Sequence, residues 1–569
     1  MTKDAPPPDG NPDLPRVERL SAWALSGPLT VAVLGLACVQ FLTWAPHYVT
    51  WPYWADHDVF SNAARAWADG TPPYKETLLN NFPGTIYLFL ALGKLVGWGR
   101  PWALYAFDAV LLAAFCALLC VWSRRRYARV LPGAVAALSY LSFALGLDYA
   151  HAAQRDWHGP AFMAAAILVA QAWSGRGGRV AAGLLAATAL AFRPQTALLL
   201  PALVLAVGAD RETLGARLRA LAESGAALGA GLLAAFAPLF AAGLWGEFLG
   251  RLKLVRYGGP YNQVTPSVLA LRWVLQAAGW RWWVVPGVTA LRGEPFASRA
   301  WRTAIPWMVA LAGVSFYMPL SPVIHTYLDI PIMLVWSVNL AALAGVLLDK
   351  PTPGPTFQLA AILLTLCLGT STIRPEFCVA GPTVRALRSL ANGRRPDETP
   401  PGYRRGSVPT TAYYPWADYR ATLDHLRATT SPRTRVANVL KGDPAIVGMI
   451  DRPSAFPAES IAWLRMVNPK DEARFANALE AAEDSVVVWV PGEVGPAKAF
   501  TLDLLKPVIR RLYRPSAKFG VIEVWTRKPA AASRRSDGAV RALQLGASYW
   551  RWTGGSSGVA PRLRPTLTE

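Results

Sequence analysis

The stretch ALYAFDAVLLAAFCALLCVWSRRRYAR, residues 103–129, joins about twenty apolar residues to a cluster of arginines. A helix of about twenty apolar residues is long enough to cross the hydrocarbon core of a bilayer, which is about 30 Å thick. Similar apolar runs recur between residues 24 and 373. One such run is compatible with a buried helix of a soluble protein, but a series of them predicts a chain that crosses a membrane many times.

The composition supports this class. Of 569 residues, 53% are hydrophobic and only 16% are charged, which is too apolar for a soluble chain of this size. The formal charge of +21 comes mostly from short Lys and Arg clusters between the apolar runs. Such clusters mark the cytoplasmic ends of membrane spans, so we expect no nucleic-acid partner. The five cysteines show neither a disulfide framework nor metal-ligand spacing.

The basic clusters predict the topology. Residues 1–22 are polar and proline-rich and are expected to form a cytoplasmic tail, followed by a transmembrane domain at 23–373. Arginine clusters on both sides of the first two spans place the loop 46–100 outside, with an interfacial or re-entrant helix at 83–99. About eleven spans are predicted, near 24–45, 103–122, 130–147, 160–174, 180–207 as two short crossings, 225–244, 282–291, 303–320, 323–348 and 356–373.

One of these runs is interrupted in the middle. If residues 180–207 made one apolar helix, the helix would be about 42 Å long. That length exceeds the thickness of the hydrocarbon core of the bilayer. Arg193 and Pro194 lie near its centre, where a charge is costly and a proline disfavours a continuous helix. We therefore predict two short helices that meet at this pair, with Arg193 on the outer side.

The composition changes after the last span. Residues 374–410 include a stretch rich in proline and glycine, which predicts a linker. Within residues 411–529, the segments YRATLDHLRA and DEARFANALEAAE have helical character, and TRVANVL, DSVVVWV and GVIEVW have the short apolar, β-branched character of strands. Their alternation predicts a small extracytoplasmic α/β domain. Residues 530–569 are rich in Arg, Ser and Gly and predict a disordered tail. The expected fold is thus a polytopic α-helical membrane protein with a C-terminal α/β domain.

The first outward loop, WPYWADHDVFSNAARAWADGTPPYKETLLNNFPG, concentrates the polar chemistry. Asp56 and Asp58 follow an aromatic membrane exit and suit a catalytic base or a divalent metal site. Alternatively, one of them caps a helix that begins near Val59. A second outward loop contains Arg155 and Asp156, which in the simplest alternative only pair with each other.

The first loop resembles the GT-C class of membrane glycosyltransferases, especially bacterial relatives of protein O-mannosyltransferases and aminoarabinose transferases. The residues that match are Asp56, Phe60, Gly70, Pro73, Tyr74, Glu76 and Pro83. The segments AQRDWHGPAF, AFRPQTALLLPALVL and SPVIHTYLDIPIML resemble later parts of such enzymes, so that the likeness extends over residues 24–373. A lysine that some relatives have before the last matching proline is replaced here by Asn81-Phe82.

The resemblance implies transfer of a hexosyl or pentosyl group from a polyprenyl-phosphate donor to a lipid, glycan or protein acceptor. Asp56 or Asp58 would be the base, and the spacing to Gly70 favours Asp56. Asp58 or Asp156 would orient the acceptor. Cations would stabilise the departing phosphate, and the candidate contacts to the substrate or its phosphate are Arg155, Arg193, Arg256, His325, Tyr74 and Glu76. No cofactor is certain, and a divalent metal at the two loop acids stays open.

Other interpretations remain. Arg256 is also suited to anchor the headgroup region, and His325 to a structural hydrogen bond. A transporter or flippase for a lipid-linked substrate predicts inverted repeats and ionisable residues near the midplane. An interaction protein with a membrane anchor leaves the loop acids without a role. We expect a bacterial inner-membrane location, with the C-terminal domain outside.

Overall fold

The computed structural model of the chain describes thirteen segments, and all structural statements below refer to them. They are residues 15–75, 81–147, 149–254, 298–316, 329–349, 354–368, 379–393, 400, 403, 414–440, 444–456, 472–491 and 502–529. The predicted span at 282–291 and the tail from residue 530 lie outside the described residues.

Helices dominate the first two thirds of the chain. They are α1 (Arg16–Ser26), α2 (Pro28–Tyr48), α3 (Ala55–Ala68), α4 (Pro83–Val96), α5 (Pro101–Tyr127), α6 (Leu131–Ala144), α7 (Arg155–Ala172), α8 (Arg176–Phe192), α9 (Leu200–Gly208), α10 (Leu214–Ala241), α11 (Trp245–Leu254), α12 (Arg299–Ser315), α13 (Ile330–Asp349), α14 (Pro355–Leu368) and α15 (Ala380–Asn392).

Four of the described helices are long and apolar enough to cross a membrane, namely α2, α5, α10 and α13. The apolar helices α4, α6 and α14 are shorter, as is the apolar segment Pro194–Gly208. All residues (100%) of the apolar stretch of α13 are buried among its neighbours, whereas only 11% of the residues in the apolar stretch of α10 are buried. Helix α13 therefore lies at the centre of the bundle. The number of crossings, about eleven from the sequence, stays a prediction.

The predicted interruption beside Pro194 is confirmed. Helix α8 ends at Phe192, and Arg193 has an extended backbone with φ −149° and ψ 104°. A 3₁₀ helix, Pro194–Leu199, then leads into α9. Proline lacks the amide that would continue α8, which places Arg193 at a break between helices rather than inside one.

Glycines allow the helices to pack closely. A Cβ at Gly133 of α6 would lie 2.3 Å from the carbonyl oxygen of Leu119 in α5. A Cβ at Gly183 of α8 would lie equally close, 2.3 Å, to the carbonyl oxygen of Ser224 in α10. Small residues at such positions let backbones approach, which is how membrane helices gain packing energy.

The C-terminal domain contains a mixed four-stranded sheet in the order β1-β2-β4-β3. Its strands are β1 (Arg435–Asn438), β2 (Ser485–Trp489), β3 (Tyr513–Phe519) and β4 (Ile522–Arg527). Strands β1 and β2 are parallel and the other pairs are antiparallel. Its helices are α16 (Trp416–Thr429), α17 (Val447–Ile450), α18 (Glu472–Ala481) and α19 (Leu505–Leu512).

The central strand β2 is buried on both faces, which explains its uninterrupted apolar sequence. Val486 and Val488 belong to the same hydrophobic core as the bundle helices. Val487 and Trp489 point the other way, into a second core with α18 and α19. The sheet therefore packs on one side towards the helical bundle and on the other side under its own helices.

Candidate active site

Helix α3 contains the two loop acids within its first turn. The helix begins at Ala55, after Trp54 with an extended backbone. No carboxylate accepts a hydrogen bond from the free backbone amides at its start. The amide of Trp54 donates instead to Nδ1 of His57, at 3.3 Å. The expectation that Asp56 or Asp58 caps a helix starting near Val59 is therefore wrong, although both acids favour the helix dipole from the first turn.

Asp56 faces helix α7. One of its carboxylate oxygens lies 3.7 Å from a terminal guanidinium nitrogen of Arg155, with the two side chains 27% and 9% exposed. The guanidinium also lies 5.1 Å from the centre of the Phe60 ring, a favourable cation–π position. Asp56 is thus a partly exposed carboxylate beside a nearly buried cation.

A second ion pair involves Asp156, the residue that follows Arg155. Asp156 accepts from a terminal nitrogen of Arg193 at 2.9 Å, and the carboxylate is fully buried. The alternative in which Arg155 pairs with its neighbour Asp156 is wrong, because consecutive residues of a helix point about 100° apart. Both residues begin α7 after Gln154 rather than lying in an open loop. Two ion pairs therefore link α3, the start of α7 and the break after α8.

Asp58 points away from this cluster. Positions two apart in a helix lie about 200° apart around its axis. Asp58 is buried, and its Oδ1 accepts from the backbone amide of Gly448 in α17 at 2.6 Å. A metal ion shared by Asp56 and Asp58 does not fit this arrangement, and the described residues hold no group of three His, Cys, Asp or Glu side chains suited to a metal.

Tyr74 has a packing role in the loop that follows α3. Its side chain is fully buried, and its hydroxyl donates to the carbonyl of Asn81 at 2.8 Å. Its own carbonyl accepts from Nε of Arg251 at 2.9 Å, and its φ is +70°. A contact between Tyr74 and substrate stays a prediction. The candidates Glu76, Arg256 and His325 lie outside the described residues.

A buried polar network that joins α2, α5 and α7 was not anticipated. The Tyr48 hydroxyl donates to one oxygen of Asp108 at 2.6 Å, and the other oxygen lies 2.8 Å from Nε2 of His158. All three side chains are buried. Asp108 was visible in the sequence as an acid inside the apolar run 103–122, a position that usually indicates function.

His57 lies between this network and the ion pairs. Burial lowers the pKa of its imidazole to about 4, and the neighbouring Asp56 opposes that effect while His158 adds to it. The ring is therefore neutral at neutral pH. A neutral imidazole accepts the amide hydrogen bond that begins α3, so His57 supports the helix that contains Asp56.

No family model and no curated protein matches the chain. Among solved structures, the chain is similar to ArnT from Cupriavidus metallidurans, determined with undecaprenyl phosphate bound. The TM-score is 0.54 at 15% sequence identity, over 89% of this chain and 99% of that one. The oligosaccharyltransferase of Archaeoglobus fulgidus, in complex with Zn and sulfate, gives 13% identity over 87% of this chain and 73% of that one. Its TM-score of 0.39 falls short of a shared fold.

The likeness to ArnT covers nearly the whole of both chains. The apolar helices and this likeness make the chain an integral membrane protein. The chain shares the helical membrane fold of this ArnT structure.

Proposed function

We propose that the protein is an inverting glycosyltransferase that uses Asp56 as general base and a polyprenyl-phosphate-linked sugar as donor. The observation that supports this most strongly is the exposure of the three candidate acids. The Asp56 side chain is 27% exposed, whereas Asp58 and Asp156 are 5% and 0% exposed as residues. A base must reach the hydroxyl from which it takes a proton, and Asp56 is the acid that an acceptor can reach.

The two arginines supply the opposite charge. Arg155 is the first residue of α7 and Arg193 lies at the break after α8, each against one carboxylate. A guanidinium can donate two parallel hydrogen bonds to a phosphate, which suits the leaving group of this reaction. Asp156 holds Arg193 in place from a buried position. The undecaprenyl phosphate bound in the similar ArnT structure supports this class of donor.

The reaction is a single displacement. Asp56 takes the proton of the acceptor hydroxyl, whose oxygen forms a bond to the anomeric carbon of the sugar. The bond between that carbon and the phosphate oxygen breaks, and its electron pair leaves with the polyprenyl phosphate. Arg155 and Arg193 stabilise the negative charge that develops on the phosphate. The configuration of the anomeric carbon inverts, and the sugar is a hexose or a pentose.

The C-terminal domain contacts helix α3 through α17, so we assign both to the same side of the membrane. The topology predicted from the basic clusters makes that side the extracytoplasmic one. Membrane lipids surround the bundle, and the acceptor is a lipid, glycan or protein. We propose a bacterial inner-membrane location for the chain.

The test is transfer of labelled sugar from a panel of polyprenyl-phosphate donors, in membranes with the wild-type chain or Asp56→Asn. We expect Asp56→Asn to lower transfer by about 10²–10⁴-fold, the usual contribution of a general base. Asp69→Asn is the matched control, because Asp69 follows the same helix and its side chain is 60% exposed. Equal transfer in the wild type and Asp56→Asn contradicts the proposal. Movement of the labelled donor across the membrane without transfer contradicts it in favour of a flippase.

A further inference from the structure

Helix α3 has a second polar face, opposite Asp56. Asp58, Ser61 and Arg65 are spaced by three and four residues and lie along one side of the helix. Asp56 is about 200° from Asp58 and about 180° from Arg65 around the axis. The same short helix therefore presents its proposed base to α7 and a different set of side chains to the C-terminal domain.

The partner of this face is the segment 447–451, which comprises α17 and the following residue. The amide of Gly448 donates to Asp58 at 2.6 Å. The guanidinium of Arg65 forms an ion pair with the carboxylate of Asp451. At the start of α3, the amide of Tyr53 donates to the sulfur of Met449 at 3.2 Å. Three polar contacts thus cover the helix from its first turn to its last.

Gly448 makes this approach sterically possible. A Cβ at position 448 would lie 2.6 Å from Oδ1 of Asp58 and 3.2 Å from Cβ of Ser61. The first distance is shorter than real Cβ contacts, so any other residue at position 448 would displace the Asp58 carboxylate from its hydrogen bond. The segment is also held from the domain side, because Arg427 of α16 donates to the carbonyl of Met449 at 2.9 Å.

We infer that Asp58 is a positioning residue: its contact with Gly448 docks the segment 447–451 on α3 and thereby fixes Asp56 in place for the proposed transfer. The inference rests on the proposed function for its activity readout. It assigns the C-terminal domain a part in catalysis that acts through α3. It also departs from the expectation that Asp58 is itself a base or a direct contact of the acceptor.

Two substitutions at position 58 separate these roles. Asparagine keeps an oxygen that accepts from Gly448, so Asp58→Asn should lower transfer by no more than about fivefold, the difference between a charged and a neutral hydrogen bond. Alanine removes the acceptor, and Asp58→Ala should lower transfer on the order of tenfold or more. A catalytic carboxylate gives the opposite pattern, in which asparagine is nearly as damaging as alanine. That pattern overturns the inference.

A covalent link provides the decisive test. The Cβ–Cβ distance of 3.2 Å between positions 61 and 448 is within a few tenths of an ångström of the 3.5–4.5 Å range of disulfides. In the Asp58→Ala background, Ser61→Cys and Gly448→Cys should form a disulfide on oxidation and restore transfer to within about threefold of the Asp58→Asn variant. Reduction should abolish the rescue. Asp58→Ala treated with the same oxidant controls for the native cysteines.

A readout that is independent of transfer keeps the two proposals separable. Hydrogen exchange of the segment 447–451 in the purified full chain should be faster in Asp58→Ala than in the wild type, and unchanged in Asp56→Asn. If no donor supports transfer but this pattern is seen, the proposed function fails and the docking contact stands. If the disulfide forms and transfer stays as low as in Asp58→Ala, the docking does not position Asp56 and the inference is wrong.

Discussion

Variants of the ion pair between Asp156 and Arg193 can separate an effect on folding stability from an effect on sugar transfer. Arg193→Met removes the guanidinium 2.9 Å from Asp156 and keeps a long apolar side chain. The Asp156 side chain is 0% exposed and the Arg193 side chain is 11% exposed, so solvent screens the pair little. Removing one member of a buried pair costs about 3–5 kcal/mol, because the remaining charge loses its counter-charge in a low-dielectric environment. We expect Arg193→Met to lower the free energy of unfolding by about this amount.

The double variant tests whether the cost comes from the stranded charge. Asp156→Asn keeps the size of the side chain and removes its charge, so Arg193→Met with Asp156→Asn should be more stable than Arg193→Met alone. The expected coupling is about 0.5–3 kcal/mol in favour of the double variant. Both variants should lose transfer, because each lacks the cation assigned to the phosphate.

The assay is thermal and denaturant unfolding of the purified chain in detergent, together with sugar transfer from the donor that the wild type accepts. If the double variant is less stable than the wild type by the sum of the losses in Arg193→Met and Asp156→Asn, the pair is not coupled and the electrostatic argument is refuted. If the double variant is restored in stability and also in transfer, Arg193 has a structural role and no part in binding phosphate.

Three further results are expected from other parts of the chain. The unfolded chain binds a proton at His57 more tightly than the folded chain, whose pKa is lowered from 6.5 to about 4. The free energy of unfolding should therefore fall as the pH drops below 6.5 towards 4, by about 2 kcal/mol between pH 7.5 and pH 5. The fall should be smaller in His57→Asn, as measured by unfolding at each pH. Gly133→Ala should cost about 1–3 kcal/mol, because the new Cβ meets the Leu119 carbonyl at 2.3 Å, whereas Gly35→Ala, with nothing within 4 Å, should leave the unfolding midpoint unchanged or higher. Arg65→Met should also speed hydrogen exchange in 447–451. The increase in exchange rate should be smaller than in Asp58→Ala, because the Asp451 side of the Arg65 ion pair is half exposed.

The helical bundle was predictable because the apolar runs are long and the clusters of Lys and Arg between them are clear. The break at Arg193 followed from helix length and from Pro194, which are local properties. The short amphipathic helix α15 was expected to be part of a linker, since arginines and prolines surround it. Its position depends on Gln40 of α2, whose amide donates to Thr383 at 2.9 Å, a contact between residues far apart in sequence.

In the C-terminal domain, the strands β1, β2 and β4 and the helices α16 and α18 were predicted from their apolar patterns. Strand β3 was missed because it lies at the edge of the sheet, contains Pro515 and has a register shift there. Its sequence, YRPSAKF, has no alternation of apolar and polar residues that would indicate a half-buried strand. Helices α17 and α19 have four and eight residues, which is too short for periodicity to identify a helix.

The members of the candidate site were easier to predict than their partners. Asp56, Arg155, Asp156 and Arg193 were selected as polar residues at predicted outer ends of spans, and the structure brings them together. Which acid meets which cation depends on how each helix is rotated, and that is set by packing across the bundle. The contact of Asp58 with an amide 390 positions later could not be found without the fold.

The rotations of α3 and α7 also explain why Asp56, of three similar acids, is suited to the proposed role of base. Asp58 and Asp156 each have a close hydrogen-bonded partner, at 2.6 Å and 2.9 Å, and both are buried. Asp56 is 3.7 Å from its arginine, too far for a strong hydrogen bond, and its side chain is 27% exposed. A carboxylate held loosely by a cation keeps an oxygen available for an incoming hydroxyl. The two buried acids therefore hold the helices and the arginine in place, and the third acid is available for the chemistry.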